Sequence, residues 1–192
     1  MKKQVKNVLI LASIAGTMSL YSCKENKEKN DAPEPVNHEM HDGEMGSQMK
    51  DEMGVDQTTA EFKDQATAAV YNHYIAIKSG LVQTDAALVQ DHAKQMIAEL
   101  ENTQANEGIA TAARKISTSS DVNVQREAFS ELTKSMDSIL EGALKSGEIY
   151  KQYCPMAFEG KGDFWYSNSK EIRNPYFGDK MLKCGRIEAT IN

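Results

Sequence analysis

From Thr58 to Ala143, apolar side chains return every three or four residues in four successive runs, and after Gly147 that period disappears. Such spacing puts the apolar residues on one face of a helix, which has to bury that face against a neighbour. The first run opens at Thr58, with Glu61 three residues on as a capping-box partner, and carries Phe62, Ala66, Ala69, Val70, His73 and Ile77 as far as Ser79-Gly80. The second starts at Thr84 or Asp85, places Val89, Ala93, Met96, Ile97 and Leu100 on one face, and ends near Asn102. The third, Asn106 to Lys115, is Ala-rich with Ile109, Ala112, Ala113 and Ile116 in its stripe. Asp121 caps the fourth, where Gln125 through Ala143 turn Phe129, Leu132, Met136, Ile139 and Leu140 inward before Gly147 stops it. Short connections favour antiparallel neighbours, so the expected fold is mainly α, an antiparallel bundle of about four helices.

Beyond Gly147 the texture changes. Ile149 to Cys154 has strand-like content, Ala157 to Trp165 is punctuated by glycine, and Asn174-Pro175-Tyr176-Phe177-Gly178 reads as a turn. The expectation is a C-terminal cap of loops and a short hairpin on the bundle, anchored by Trp165, Tyr176 and Phe177. No internal repeat is visible, and residues 58–192 suffice for one domain with a real core.

The first 22 residues are set apart as a signal peptide. Lys2, Lys3 and Lys6 give a cationic start, and Val8 to Met18 form an apolar stretch too short to span a bilayer. The stretch ends in Leu20-Tyr21-Ser22-Cys23, which resembles a bacterial lipobox and marks Cys23 for lipidation. Each buried CH2 of an acyl chain contributes about 0.8 kcal/mol, so a triacylated Cys23 holds the chain at a membrane. Lys24 after it resembles outer-membrane sorting in enteric bacteria. The implied place is the cell envelope, lipid-anchored, at the outer membrane and facing the periplasm.

Residues 23–57 read as a disordered acidic tether. They hold little aliphatic or aromatic surface, and Pro33, Pro35, Gly43, Gly46 and ten acidic residues accumulate there. The net charge of −6 divides into +3 over residues 1–23, −6 over 24–60 and −3 over 61–192, which argues against nucleic acid as a partner.

With Cys23 lipidated, only Cys154 and Cys184 remain. Cys154-Pro155-Met156 directs a thiolate and a thioether out of one tight turn, and Met181 and Cys184 offer the same pair again. Soft sulfur donors suit Cu(I), with Ag(I) as a second ion, whereas zinc rarely takes a thioether. The candidate metal ligands are therefore Cys154, Met156, Met181 and Cys184, with His73 or His92 as an added nitrogen. The alternatives remain open at this point. A disulfide across the 29 intervening residues would stabilise the cap by ~3–4 kcal/mol, Met156 and Met181 could be core filler, and His73 fits a hydrogen-bonded core histidine better than a ligand. A secondary metal site is expected at His38, Met40, His41, Met45, Met49 and Met53 in the tether, because thioethers keep their ligand character where thiols oxidise; the alternative is an acidic linker in which the methionines fall by chance. There is no Gly-x-Ser-x-Gly, no phosphate-binding glycine loop, no His-Glu-x-x-His and no Cys-x-x-Cys, so no enzyme is expected.

Three segments carry a family resemblance: Tyr153-Cys154-Pro155-Met156-Ala157; Gly162 with Trp165; and Ile172-Arg173-Asn174-Pro175-Tyr176-Phe177-Gly178-Asp179-Lys180-Met181-Leu182-Lys183-Cys184-Gly185. Tyr74-Ile75-Ala76-Ile77-Lys78, Leu81-Val82, Asp85 and Gln125-Arg126-x-x-Phe129 add to it. Over about residues 60–190 the chain resembles an envelope domain of unknown function that occurs alone on lipoproteins and at the C-terminus of periplasmic adaptor subunits of copper/silver efflux pumps. The resemblance implies a role in copper or silver storage, tolerance or hand-over to an efflux complex, and it favours the metal site over the disulfide. The competing expectation is a docking module stabilised by a Cys154–Cys184 disulfide.

Overall fold

A computed structural model describes residues 60–101 and 107–192. The expected signal peptide, the tether and the helix start at Thr58 lie outside the described residues. In chain order the elements are β1 (Glu61–Phe62), α1 (Gln65–Gln83), α2 (Ala86–Glu101), α3 (Glu107–Thr118), α4 (Val122–Leu140), β2 (Leu144–Ser146), β3 (Ile149–Cys154), β4 (Asp163–Ser167) and β5 (Arg186–Ile191). A helical turn at Ala157–Gly160 joins β3 to β4, and a 3-10 turn at Gly178–Met181 precedes β5. The molecule is mostly helical with a small antiparallel sheet component.

α1 packs on α2, α2 on α3 and α3 on α4, while α4 returns to α1. The stripes read for α2, α3 and α4 form much of the core, whereas on α1 only Val70 and Ile77 of the expected stripe are buried, and Tyr71, Tyr74, Ile75 and Leu81 fill the core face. Val89, Ala93 and Met96 of α2, Ile109, Ala112, Ala113 and Ile116 of α3, and Phe129, Leu132, Met136 and Leu140 of α4 are buried. Each large apolar side chain so buried contributes about 1.5–3 kcal/mol before chain entropy is set against it. Asp121 caps α4 by accepting the Asn123 N–H at 2.8 Å. Asp85 caps α2 through the N–H groups of Ala87 and Leu88.

Several helix boundaries differ from the reading. α1 begins at Gln65, where Asp64 accepts from the Thr67 N–H at 2.8 Å and from its hydroxyl at 2.9 Å. Glu61, expected as a capping-box partner, pairs instead with Ser146 across the β1–β2 ribbon. The Lys63 N–H donates to the Ala143 carbonyl at 2.9 Å. The same pairing ends α4 at Leu140 rather than Ala143, so long-range strand pairing overrides the local signal at both places. α1 also runs past Ser79-Gly80 to Gln83. Gly80 is there because α2 comes close: a Cβ at that position would stand 2.7 Å from Cγ2 of Val89.

The expected cap of loops and a short hairpin is a three-stranded antiparallel sheet in the order β4-β3-β5. β3 and β4 make the hairpin, from Tyr150↔Ser167 to Cys154↔Asp163. β5 has no buried side chain to announce it and is held by backbone pairing to β3, from Ile149↔Ile191 to Tyr153↔Arg186. Trp165, Tyr166 and Tyr176 are buried, and Phe177 is half-buried. Tyr74 of α1 ties the sheet to the helices: its hydroxyl meets Thr133 Oγ1 at 2.9 Å and accepts the Tyr166 N–H at 2.9 Å, and its ring lies 5.0 Å from Phe129.

Candidate metal centre

Cys154 is the last residue of β3, and Cys184 follows the 3-10 turn just before β5. Antiparallel pairing of β5 on β3 brings the two ends together. The two cysteines are not bonded to each other, and their sulfurs stand 2.9 Å apart. Cys154 is fully buried in the aromatic core with Ala157, Trp165 and Tyr176, whereas Cys184 is half-buried. Trp165 and Phe158 both stand edge-on to Tyr176, at 6.0 and 5.0 Å between ring centroids. The hydroxyl of Tyr176 donates to the Phe164 carbonyl at 2.6 Å.

The two methionines reach this place by their backbones. The Met156 N–H faces the Cys184 sulfur, and the Met181 carbonyl accepts the Cys184 N–H at 3.0 Å. The Met156 side chain is 52% exposed and that of Met181 half-buried, so neither is core filler. A thioether that stays at the surface is free to turn toward an ion.

Three buried polar residues that the sequence reading did not single out as functional set this geometry. The Asn174 carboxamide donates to the Cys184 carbonyl at 2.8 Å and accepts the Tyr176 N–H at 2.9 Å, while the Asn174 N–H donates to the Leu182 carbonyl at 2.9 Å. Arg126 of α4 donates to the Pro175 carbonyl at 2.9 Å, and to the Leu81 carbonyl and the Thr84 hydroxyl at 3.2 Å each. It thereby fixes the loop before Cys184 to the end of α1. Gly178 (φ 56°) leaves room for this guanidinium, since a Cβ there would come within 2.9 Å of it. Gln152 accepts from the Trp165 indole at 2.8 Å and donates to the Ser169 and Glu171 carbonyls, which holds the β4 exit. Asn174 and Gln125-Arg126 lay within the quoted motifs, and their polarity amid buried neighbours was the available signal.

The hydrogen bond between the Cys184 thiol and Cys154 raises Cys184 above its ordinary value of 9.0, and burial and the Cys154 charge add to this against a smaller opposing pull from the Met156 N–H. The Cys184 thiol is therefore held protonated near neutral pH. That disfavours a reactive thiolate and means that a bound metal must displace that proton.

His73 and His92 do not join the sulfurs: among the described residues no group of three or more His, Cys, Asp or Glu side chains is placed to hold a metal ion. Instead the two imidazoles, both half-buried, face each other between α1 and α2 with Nδ1 atoms 3.5 Å apart. Cys23, His38, Met40, His41, Met45, Met49 and Met53 lie outside the described residues. No helix among the described residues is long and apolar enough to cross a membrane.

Residues 70–147 match the model of a family described as protein of unknown function (DUF3347). The match covers most of the helical part and stops short of both cysteines. No curated protein and no solved structure matches the chain.

Proposed function

We propose that this chain is an envelope lipoprotein, lipidated at Cys23, that holds a soft metal ion between Cys154 and Cys184. The ion is Cu(I), with Ag(I) as the second candidate, and the thioethers of Met156 and Met181 complete its coordination. The supporting observation is that two thiols from segments far apart in the chain meet at 2.9 Å. Metal–sulfur bonds of about 2.3 Å put two sulfurs on one tetrahedral ion about 3.8 Å apart, so loading requires a sub-ångström to ångström opening. Cys184, half-buried on a turn, is the side that can move. The role is copper or silver storage, tolerance or hand-over to an efflux complex at the periplasmic face of the outer membrane. The tether residues His38, Met40, His41, Met45, Met49 and Met53 serve as a second, looser collector, and neither catalysis nor nucleic-acid binding is part of the role.

The same short approach favours one other reading, a disulfide-stabilised docking module, because oxidation would need the sulfurs to close to about 2.05 Å. Copper(I) titration of the mature chain with thiol quantitation separates the two. Binding that is lost in Cys154→Ser and kept in a version lacking residues 38–53 supports the metal centre. Unchanged stoichiometry in Cys154→Ser, or protein recovered from the envelope without titratable thiols, supports the disulfide.

A further inference from the structure

The α1–α2 seam carries a pair of side chains that the sulfur site does not use. His73 lies one helical turn before Ile77 on α1, and His92 lies one turn after Val89 on α2, so both border the stripe that packs the two helices together. Close approach at Gly80 and Val89 sets the helix separation. The ring centroids are 5.7 Å apart but the Nδ1 atoms only 3.5 Å, so the nitrogens stand at facing ring edges rather than one ring above the other.

We propose that His73 and His92 form a second metal site, a two-imidazole clip across α1 and α2 for a borderline divalent ion of the zinc and copper(II) class. Two imidazole nitrogens bonded to one tetrahedral ion at 2.0–2.1 Å stand about 3.3–3.4 Å apart, and the observed spacing meets this almost without movement. At 3.5 Å the pair is at the long limit of a hydrogen bond between the two rings. Imidazole suits this class of ion, whereas the cysteine pair suits a softer one. Glu99 adds a favourable field for a cation beside His73. With no third protein ligand grouped there among the described residues, water completes the shell, and both rings are exposed enough to admit it. An ion in this clip ties α1 to α2 on the far side of the Thr84-Asp85 connection. The site does not depend on the copper reading of the cysteines.

The test is Zn2+ titration of the full chain, followed through the imidazole 15N resonances and assigned with His73→Gln and His92→Gln. The Nδ1 resonances of His73 and His92 are expected to shift together with one saturation curve. Loss of the His92 shift is expected in His73→Gln, and the reverse in His92→Gln, while both shifts persist in Cys184→Ser. The inference is overturned if only the His38 and His41 resonances respond, if His73 and His92 saturate separately, or if their response disappears in Cys184→Ser.

Discussion

Asn174 holds Cys184 by its main chain: the carboxamide Nδ2 donates to the Cys184 carbonyl at 2.8 Å, and its Oδ1 takes the Tyr176 N–H at 2.9 Å. One fully buried side chain thus satisfies two backbone groups on opposite sides of the turn that delivers the second sulfur. Asn174→Ala leaves both without a partner. At about 1–3 kcal/mol for each such group, the expected loss is roughly 2–6 kcal/mol, read as a lower urea midpoint with an unchanged slope. Copper(I) affinity is expected to fall as well, although both thiols remain.

Burial separates the two cysteines in stability but not in binding. A serine hydroxyl at fully buried Cys154 has to be sequestered among Trp165, Ala157 and Tyr176, at a cost of about 1–3 kcal/mol. Cys184→Ser, at a half-buried turn, is expected to cost about 0.5 kcal/mol or less. Both are expected to abolish the proposed Cu(I) site to the same extent. Urea denaturation of metal-free, reduced protein alongside a competitive copper titration checks the two halves of this statement.

The raised Cys184 thiol gives two pH effects of known sign. The folded chain keeps a proton that the unfolded chain releases near 9.0, so this contribution to stability is complete below 9.0 and drains away as pH climbs past it. Denaturant midpoints of reduced, metal-free protein are therefore expected to fall in alkali, and Cys184→Ser to flatten that fall. Metal binding runs the other way. Displacing the Cys184 proton makes apparent Cu(I) affinity rise with pH by about 10-fold per unit below the thiol range, measurable with a competing chelator at constant ionic strength.

Gly80 faces a contest of two effects. Alanine in a helix interior is worth about 1 kcal/mol over glycine, but its Cβ would stand 2.7 Å from Val89 Cγ2, and overpacking of that kind costs about 1–3 kcal/mol. Gly80→Ala is expected to destabilise the wild-type chain. In a Val89→Ala background the same change is expected to stabilise, and a double-mutant cycle by thermal unfolding reads the reversal.

What could be read from the chain was what neighbouring residues decide among themselves. The stripes Val89-Ala93-Met96 and Ile109-Ala112-Ala113-Ile116, and the caps at Asp85 and Asp121, need only helical geometry. Thr58-Glu61 misled because a capping box is a local pattern, whereas Glu61 answers to Ser146 across the ribbon. β5 was invisible for a related reason: none of its side chains is fully buried, and its state comes from pairing with Ile149 to Tyr153. Cys154 and Cys184 stood out by their chemistry, and the sheet brings them together. The polar supports at Asn174, Arg126 and Gln152 act on carbonyls and N–H groups of other segments, which no spacing rule reveals. The meeting of His73 and His92 likewise follows from the packing of two helices rather than from either one alone.

β3 is the one strand of its sheet bonded along both edges, and Cys154 sits at its end. Amides along this strand should exchange with solvent among the last in the molecule, whereas those around Cys184 depend on a single turn. On the proposed reading, the strand is the fixed jaw and the Cys184 turn the movable one. The residence time of an ion there would then be set by how firmly Asn174 holds that turn as well as by the metal–sulfur bonds.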